Sequence, residues 1–219
     1  MKKYNIKNID DQAYSQAYAT LERSFLFRIG FALKYRYILP VLKTVSRDKS
    51  VVDIGCAHGL FLNYLARNGF SRLFGMDLKN ELYDHVASAP QIAFIEQSIL
   101  HPDVQKGGPF DVLHISGVLH HLPPDKLCSV PKIMANILTR DGKLFIYEPN
   151  RFSRIGSLFY DRILPLALPL LHRLSAQELQ IQHAFSLKMP SFMAEFKEYF
   201  DILSYSDKWF YYSIIAKKR

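Results

Sequence analysis

The sequence has little cysteine and no long apolar run, and these absences exclude several classes of protein. Its two cysteines, Cys56 and Cys128, are too few for a disulfide scaffold or a four-cysteine zinc site. No stretch of about 18 apolar residues occurs, so no membrane-spanning helix is expected. The first residues lack an apolar signal-peptide core, which predicts a reducing, cytoplasmic location. The 10 glycines and 11 prolines follow no period, which excludes collagen-like and linker-like chains.

The composition is that of a globular protein with an excess of basic residues. Hydrophobic residues make up 49% and charged residues 22% of the 219 residues, which predicts one folded core with a cap or insertion. The formal net charge of +8 lies in the flanks. Residues 1–50 carry 10 Lys and Arg against 4 Asp and Glu, whereas residues 51–150 carry 8 against 10. This asymmetry suits an anionic partner or substrate, and the alternative is an ordinary solvated surface.

Between residues 50 and 150, short apolar runs alternate with helical segments. The predicted strands cover residues 50–55, 72–78, 91–97, 110–116 and 143–149. The predicted helices cover residues 60–69, 80–89 and 124–142, and Pro131 must start, kink or break the last of them. This alternation is typical of βαβ units with right-handed crossovers, and therefore of a parallel sheet.

Beyond residue 150 the alternation stops, and the chain reads as mostly helical or irregular up to residue 199. Two further strands, over residues 199–206 and 209–218, are separated only by Asp207-Lys208, so they must pair antiparallel. The predicted fold class is α/β. It is a doubly wound, seven-stranded sheet with five parallel strands, a C-terminal antiparallel hairpin and helices on both faces.

The most informative segment for function is VVDIGCAHGLFLNYLA. A strand ends at Asp53, a turn with Gly55, Ala57 and Gly59 follows, and a helix begins. Glycines let the backbone approach a ligand, and the helix N-terminus presents unpaired N–H groups, so this is a nucleotide-type loop. Its GxAxG spacing differs from that of dinucleotide-binding loops, and its acid suits an amine-bearing ligand better than a diphosphate. Asp77, which ends the second strand, is placed to accept hydrogen bonds from ribose hydroxyls.

Together, the DxGxAxG loop, the acid on the second strand and the FDVLHISGVLHHL segment resemble the class I S-adenosylmethionine-dependent methyltransferases, in particular their small-molecule group. The resemblance implies a Rossmann-like fold, S-adenosylmethionine as the cofactor and S-adenosylhomocysteine as its product. It also implies an N-terminal helical cap or lid over residues 1–47, a methyltransferase core over residues 48–219, and a substrate-covering insertion at about residues 151–198.

The resemblance further assigns the cofactor contacts. The loop acid and glycines of such enzymes hold the methionine and sulfonium end, and the acid of the second strand holds the ribose. Ser98 or Ile99 takes the place of the aspartate that often contacts adenine. Cys56 is expected to be a small filler beside the cofactor rather than a nucleophile. The cofactor-binding residues implied are Asp53, Gly55, Cys56, Ala57, Gly59, Asp77, Leu78, Ser98, Ile99 and Ser116.

Methyl transfer needs alignment of the acceptor with the sulfonium, and it needs a base only for a hydroxyl or a protonated amine. His120 and His121 are the candidate bases, and the alternative is that they shape the floor of the cofactor site. Because a histidine is present, O-methylation is slightly favoured over N-methylation. The candidate substrate contacts, at or beyond the end of the fifth strand, are Glu148, Asn150, Arg151 and Tyr160.

Several alternatives stay open at this point. The acceptor is expected to be a small molecule of anionic or lipophilic character, whereas nucleic acid and protein acceptors are disfavoured alternatives. A non-catalytic S-adenosylmethionine-binding protein is another. A nicotinamide oxidoreductase is disfavoured by the loop spacing, and no metal site is expected because the histidine pair lacks a third ligand. Residues 154–174 alternate apolar and basic side chains, which suits peripheral membrane contact. The sequence does not determine the oligomeric state.

Overall fold

The computed structural model describes residue 35 and residues 38–150, 172–207 and 211–219. The predicted cap over residues 1–47 lies largely outside these residues. Residues 151–171 also lie outside them, and these hold most of the run at 154–174 and just under half of the predicted insertion at 151–198. None of the described helices has the length and hydrophobicity that a membrane-spanning segment requires.

A seven-stranded sheet forms the centre of the molecule, in the order β3-β2-β1-β4-β5-β7-β6. Strands β1 to β5 are parallel, and β7 pairs antiparallel with both β5 and β6, which confirms the predicted fold class. The strands are β1 Ser50–Ile54, β2 Arg72–Asp77, β3 Ile92–Glu96, β4 Phe110–Ser116, β5 Leu138–Pro149, β6 Phe200–Ser206 and β7 Tyr211–Lys218.

The described helices connect these strands and cover both faces of the sheet. The α-helices are α1 Leu39–Leu42, α2 Leu60–Arg67, α3 Asp84–Ala87, α4 Val130–Ile137 and α5 His172–Tyr199. Short 3-10 helices cover Pro102–Gly107, Leu119–His121 and Leu127–Ser129.

Two helices are shorter than the sequence pattern predicts. The prediction over residues 80–89 contracts to α3, because Tyr83 is extended and the Asn80 side chain accepts a hydrogen bond from the Leu82 N–H at 3.3 Å. The prediction over residues 124–142 contracts to α4, which has Pro131 in its first turn and ends where Leu138 turns into an extended conformation. Asp141 has a φ of +66° and shapes an irregular start of β5.

Hydrophobic residues fill a core on each face of the sheet, because successive strand residues point to opposite faces. Val52, Leu113 and Leu144 belong to the cluster that α4 and α5 cover. The neighbouring residues Val51 and Val112 belong to the cluster that α1 and α2 cover. This alternation accounts for the fully buried β1, and the chain therefore has the two helical layers of a doubly wound fold.

The carboxyl ends of the parallel strands meet at one edge of the sheet. The strand order reverses between β1 and β4, and ligands of doubly wound sheets bind at such a switch point. At the opposite edge, Asp111 ties the amino ends of β1 and β4 together by accepting hydrogen bonds from the Ser50 N–H and hydroxyl, both at 2.9 Å. The candidate site residues lie at the carboxyl-end edge.

Candidate active site at the carboxyl ends of the strands

The loop between β1 and α2 has an unusual backbone conformation. Gly55, Ala57 and Gly59 have positive φ angles of 71°, 44° and 77°. A Cβ atom on Gly55 would lie 2.1 Å from Cγ2 of Val118, so this position requires glycine for space as well as for conformation. Ala57 adopts a conformation that side chains rarely adopt, at the position where the sequence departs from a third glycine. The loop therefore turns sharply enough to bring its backbone to the sheet edge.

Asp77 ties this loop to the end of β2. Its Oδ2 accepts a hydrogen bond from the Ala57 N–H at 2.9 Å, and its Oδ1 accepts one from the Leu78 N–H at 2.7 Å. Leu78, the next residue, is 67% exposed. The two residues thus present a carboxylate and an apolar surface side by side.

Asp53 contacts a residue that the sequence analysis did not assign to the site. Oδ1 of Asp53 lies 2.6 Å from Nδ1 of His114, which is the residue opposite it on β4. Both side chains are buried, with exposures of 4% and 1% for Asp53 and His114. The predicted cofactor acid is therefore one half of a buried pair.

Cys56 lies in the loop as a buried free thiol. Burial raises the pKa of its thiol strongly, and the negative charges of Asp53 and Asp77 raise it further. A thiol held protonated in this way is a poor nucleophile, and its sulfur packs against the space at Gly75. These contacts support the interpretation of Cys56 as a small filler.

The residues predicted near adenine and at the end of β4 have distinct surroundings. The Ser98 hydroxyl accepts a hydrogen bond from the Leu100 N–H at 3.1 Å, which shapes the turn after β3. The side chain of Ile99 is buried in the core that α4 and α5 cover, so only its backbone can meet a ligand. Ser116 is the last residue of β4 and pairs with Tyr147 of β5.

Glu148, on β5, organises the loop that follows β4. Its Oε1 accepts hydrogen bonds from the N–H groups of Val118 at 2.8 Å and Leu119 at 3.0 Å. Its Oε2 lies 3.4 Å from the N–H of His120 and 2.7 Å from Nδ1 of the same residue. Glu148 has no exposed surface, so a single buried carboxylate fixes both the backbone and the imidazole of the histidine segment.

The histidine pair is packed between this anchor and α5. The rings of His120 and His121 lie 4.0 Å apart between centroids, and Phe185 of α5 meets the His120 ring edge-on at 6.4 Å. His120 is buried, whereas His121 is partly exposed. Among the described residues, no group of three or more His, Cys, Asp and Glu could hold a metal ion.

The predicted substrate contacts divide into two groups. Glu148 and Asn150 lie at the expected sheet edge, but both are buried and bind protein groups. Nδ2 of Asn150 donates a hydrogen bond to the backbone oxygen of Asp207 at 2.6 Å, which connects the end of β5 to the hairpin turn. Arg151 and Tyr160 lie outside the described residues.

A groove of about 630 Å³ opens between α5 and the β6–β7 hairpin. It was not expected from the sequence, because α5 and the hairpin meet only in the folded chain. Tyr212 lines the groove and meets Phe185 edge-on at 6.2 Å between ring centroids, so one ring separates the groove from His120. The lining residues are Ser186, Leu187, Met189, Pro190, Met193, Lys197, Ile202, Tyr205, Asp207 and Tyr212.

Comparison with known proteins defines the class. A family model described as "Methyltransferase domain" matches residues 28–197, which is most of the chain. The sheet order and this match confirm the predicted class, that of a methyltransferase domain with a Rossmann-like fold. The chain belongs to this methyltransferase domain family.

Two curated relatives are both named "Ubiquinone biosynthesis O-methyltransferase". The protein of Cronobacter sakazakii is 24% identical over 128 residues, which cover 53% of this chain and 51% of the relative. The protein of Xylella fastidiosa is 28% identical over 126 residues, covering 52% and 50% respectively. The chain thus spans about half the length of the curated relatives it matches.

Two solved structures share the fold. Magnesium protoporphyrin IX methyltransferase from Synechocystis, solved with S-adenosylhomocysteine bound, has a TM-score of 0.63 at 15% identity and covers 93% of this chain and 94% of its own. The N-methyltransferase NodS from Bradyrhizobium japonicum has a TM-score of 0.53 at 14% identity and covers 78% and 79%. At these identities the likeness shows the fold alone.

The residues at the sheet edge fit an adenosyl cofactor. Two carboxylates, Asp53 and Asp77, flank a loop that contains no Lys or Arg between residues 51 and 66. Carboxylate oxygens are negatively charged hydrogen-bond acceptors, which suit an ammonium group and a pair of ribose hydroxyls and do not suit a diphosphate. The exposed Leu78 beside Asp77 offers the apolar surface that a purine ring would cover.

Proposed function

We propose that this chain transfers a methyl group from S-adenosylmethionine to a hydroxyl group of a small, lipophilic molecule. The observation that carries the proposal is the buried Glu148–His120 pair, with 2.7 Å between Oε2 and Nδ1. A base is needed for a hydroxyl acceptor, and a carboxylate-oriented imidazole is a common base in proteins. The printed name of the curated relatives, an O-methyltransferase, supports the same chemistry.

Different residues of the chain are proposed to bind different parts of the cofactor. S-adenosylmethionine supplies a methyl group on a sulfonium, which is already an activated electrophile. Asp77 would hold the ribose hydroxyls, and the exposed Leu78 would pack against the adenine. Asp53 would hold the ammonium group at the methionine end. Ser98 and the backbone of Ile99 would border the adenine, and Ser116 would border the cofactor from the end of β4.

The Glu148–His120 pair supplies the base. In this proposal the carboxylate accepts a hydrogen bond from the Nδ1–H of His120, which makes Nε2 the basic nitrogen of the ring. As the acceptor oxygen attacks, Nε2 takes its proton, and the negative charge of Glu148 stabilises the resulting imidazolium. His121, whose ring lies tilted against that of His120, is the second candidate for contact with the acceptor. Glu148 then acts through His120 rather than by touching the substrate.

The groove beside α5 supplies a site for the body of the acceptor. Its volume lies within the range of sites for small ligands, and seven of its ten described lining residues are apolar or aromatic. Among the described lining residues, Lys197 is the one cation and Asp207 the one carboxylate, so an acceptor with a negative group would lie toward Lys197. These contacts favour an aromatic or lipophilic acceptor whose hydroxyl reaches past Phe185 toward His120.

Calorimetric titration tests the cofactor part of the proposal. S-adenosylmethionine and S-adenosylhomocysteine should bind the wild-type chain saturably, whereas NADH should not. Asp77→Ala should weaken both adenosyl ligands by about tenfold or more, because hydrogen bonds between a ligand and a charged group are lost. Asp111→Ala, which removes a carboxylate at the opposite sheet edge, is the matched control and should leave both affinities unchanged.

A pair of acceptors that differ in one atom tests the reaction. Labelled methyl transfer is measured to lipophilic phenols and to the anilines of the same shape. Transfer to the phenols that falls by about 10²-fold or more in His120→Ala supports a base acting on a hydroxyl. Equal transfer to both series, unaffected by His120→Ala, contradicts the O-methylation proposal. Binding of the adenosyl ligands without turnover of any acceptor favours a non-catalytic binding protein.

A further inference from the structure

A second buried carboxylate–imidazole pair lies behind the glycine loop, and the proposed function gives no role to its histidine, His114. Asp53 and His114 occupy directly opposed positions on the neighbouring strands β1 and β4, so their side chains leave the same face of the sheet. Oδ1 of Asp53 lies 2.6 Å from Nδ1 of His114. The rings of Phe61 and Tyr35 enclose the imidazole, with centroids 4.1 Å and 5.7 Å from it.

The pair is a costly arrangement for the core. Nε2 of His114 is buried and has no hydrogen-bond partner among the described residues, so within this part of the chain one polar atom stays unsatisfied. The residues around it on the same face, Val112 and Phe145, are apolar and fill this layer without such a cost. A core that needed only packing would carry an apolar residue at position 114. The pair therefore calls for an explanation in terms of the site that Asp53 adjoins.

The short contact requires a proton between the two groups. A nitrogen and a carboxylate oxygen at 2.6 Å need a proton between them, since two lone pairs at that distance repel. With that proton on Nδ1, the imidazole donates and the carboxylate accepts. The hydrogen bond then holds Asp53 in one orientation, at the point where β1 runs into the loop with Gly55.

We infer that His114 is the residue that positions Asp53 to receive the cationic ammonium group of the cofactor's amino-acid end. This inference rests on the proposed function and deepens it, since it assigns recognition of one part of the cofactor to one buried pair. Without the Nδ1–H donor, the Asp53 carboxylate loses its orientation in a buried, aromatic surrounding. The chain then keeps its adenosine contacts at Asp77 and loses discrimination for the amino-acid end.

Two adenosyl ligands distinguish binding of the adenosine from recognition of the amino-acid end. S-adenosylhomocysteine carries the amino-acid group, and 5′-methylthioadenosine is the same adenosine thioether without it. Binding of both is measured by calorimetry for the wild-type chain, His114→Leu and His114→Asn. Leucine fills the site without a donor, whereas asparagine places an amide N–H where Nδ1 lies. Val112→Ala, one pleat earlier on the same face of β4, is the control for a loss of packing alone.

The expected result is selective. His114→Leu should weaken S-adenosylhomocysteine by about tenfold or more, because a hydrogen bond to a charged group is lost, and should change 5′-methylthioadenosine by about twofold at most. His114→Asn should restore most of the affinity, and Val112→Ala should affect the two ligands alike. Equal weakening of both ligands by His114→Leu, or no weakening of either, overturns the inference. Failure of the wild-type chain to bind S-adenosylhomocysteine overturns the proposed function as well.

A spectroscopic measurement on the ligand-free wild-type chain covers the case in which His114→Leu does not fold. The ¹⁵N NMR signals of the His114 ring report which nitrogen carries the proton. A neutral ring with a hydrogen-bonded proton on Nδ1 is the expected result. A proton on Nε2 alone overturns the inference, because Nδ1 then has nothing to donate to Asp53.

Discussion

Replacement of Glu148 by glutamine should remove the proposed base while leaving the fold in place. Three backbone N–H groups and one imidazole nitrogen surround the Glu148 carboxylate, at 2.8, 3.0, 3.4 and 2.7 Å. A glutamine keeps one acceptor oxygen for Val118 and Leu119 and turns an NH₂ group toward His120. The ring of His120 must then accept at Nδ1 and carry its proton on Nε2. This tautomer has no lone pair at the nitrogen that would take the acceptor's proton.

The stability change of Glu148→Gln should be small compared with its effect on catalysis. The bonds from Val118 and Leu119 lose their charge assistance, about 1 kcal/mol each, and the longer 3.4 Å contact from the His120 N–H is lost. Removal of a fully buried charge offsets part of this loss. We expect a decrease of about 1–2 kcal/mol in the free energy of unfolding. Glu148→Ala leaves all these donors without an acceptor, so its cost should be about 3–5 kcal/mol.

Three measurements check this reasoning. Urea unfolding gives the stability of wild type, Glu148→Gln and Glu148→Ala, and ¹⁵N NMR gives the tautomer of His120. Methyl transfer to a hydroxyl acceptor should fall by about 10²–10⁴-fold in Glu148→Gln, the range for loss of a general base. A Glu148→Gln chain that keeps the proton on Nδ1, or that retains activity within about threefold, would refute the proposed role of the pair.

Two further predictions concern the loop and the far edge of the sheet. Gly55→Ala should lower the free energy of unfolding by about 2–4 kcal/mol, since its φ is +71° and its Cβ would lie 2.1 Å from Val118. Gly69 is the control, because its φ is +86° but no atom lies within 4 Å of the position of an added Cβ. Gly69→Ala should lower the free energy of unfolding, measured in urea, by only about 1 kcal/mol. An equal loss at both positions would contradict the steric argument. Burial raises the pKa of Asp111, but hydrogen bonds from the Ser50 N–H, Lys49 and the Ser50 hydroxyl outweigh it and hold that pKa below its usual range. The carboxylate of Asp111 stabilises the fold above its unfolded pKa of about 3.9, and this stabilisation is lost as the pH falls through the folded pKa. Between about pH 5 and pH 2, the free energy of unfolding should therefore decrease more for wild type than for Asp111→Asn. Unfolding titrations at several pH values measure this difference.

Much of the fold follows from local pattern. The boundaries of β4 are those predicted, and β1, β2 and β3 agree within one or two residues, because apolar runs bounded by turn residues define buried strands. The helices are less predictable. The run of helix-forming residues at 80–89 gives only the four residues of α3, because the extended Tyr83 and the Asn80 turn interrupt it. Here the turn conformation and the tertiary packing override the helix propensity of the sequence.

The sequence by itself determined the class of protein. The DxGxAxG loop and the acid at position 77 meet local structural requirements, namely a left-handed turn and a carboxylate at a strand end. A short run of consecutive residues is enough to reveal such requirements. Only the tertiary structure decided which charged groups share a contact. Asp53 and His114 are 61 residues apart in the chain, and His120 and Glu148 are 28 apart. Their pairing depends on the register of neighbouring strands, which no local pattern encodes, because the residues that determine register lie throughout the core.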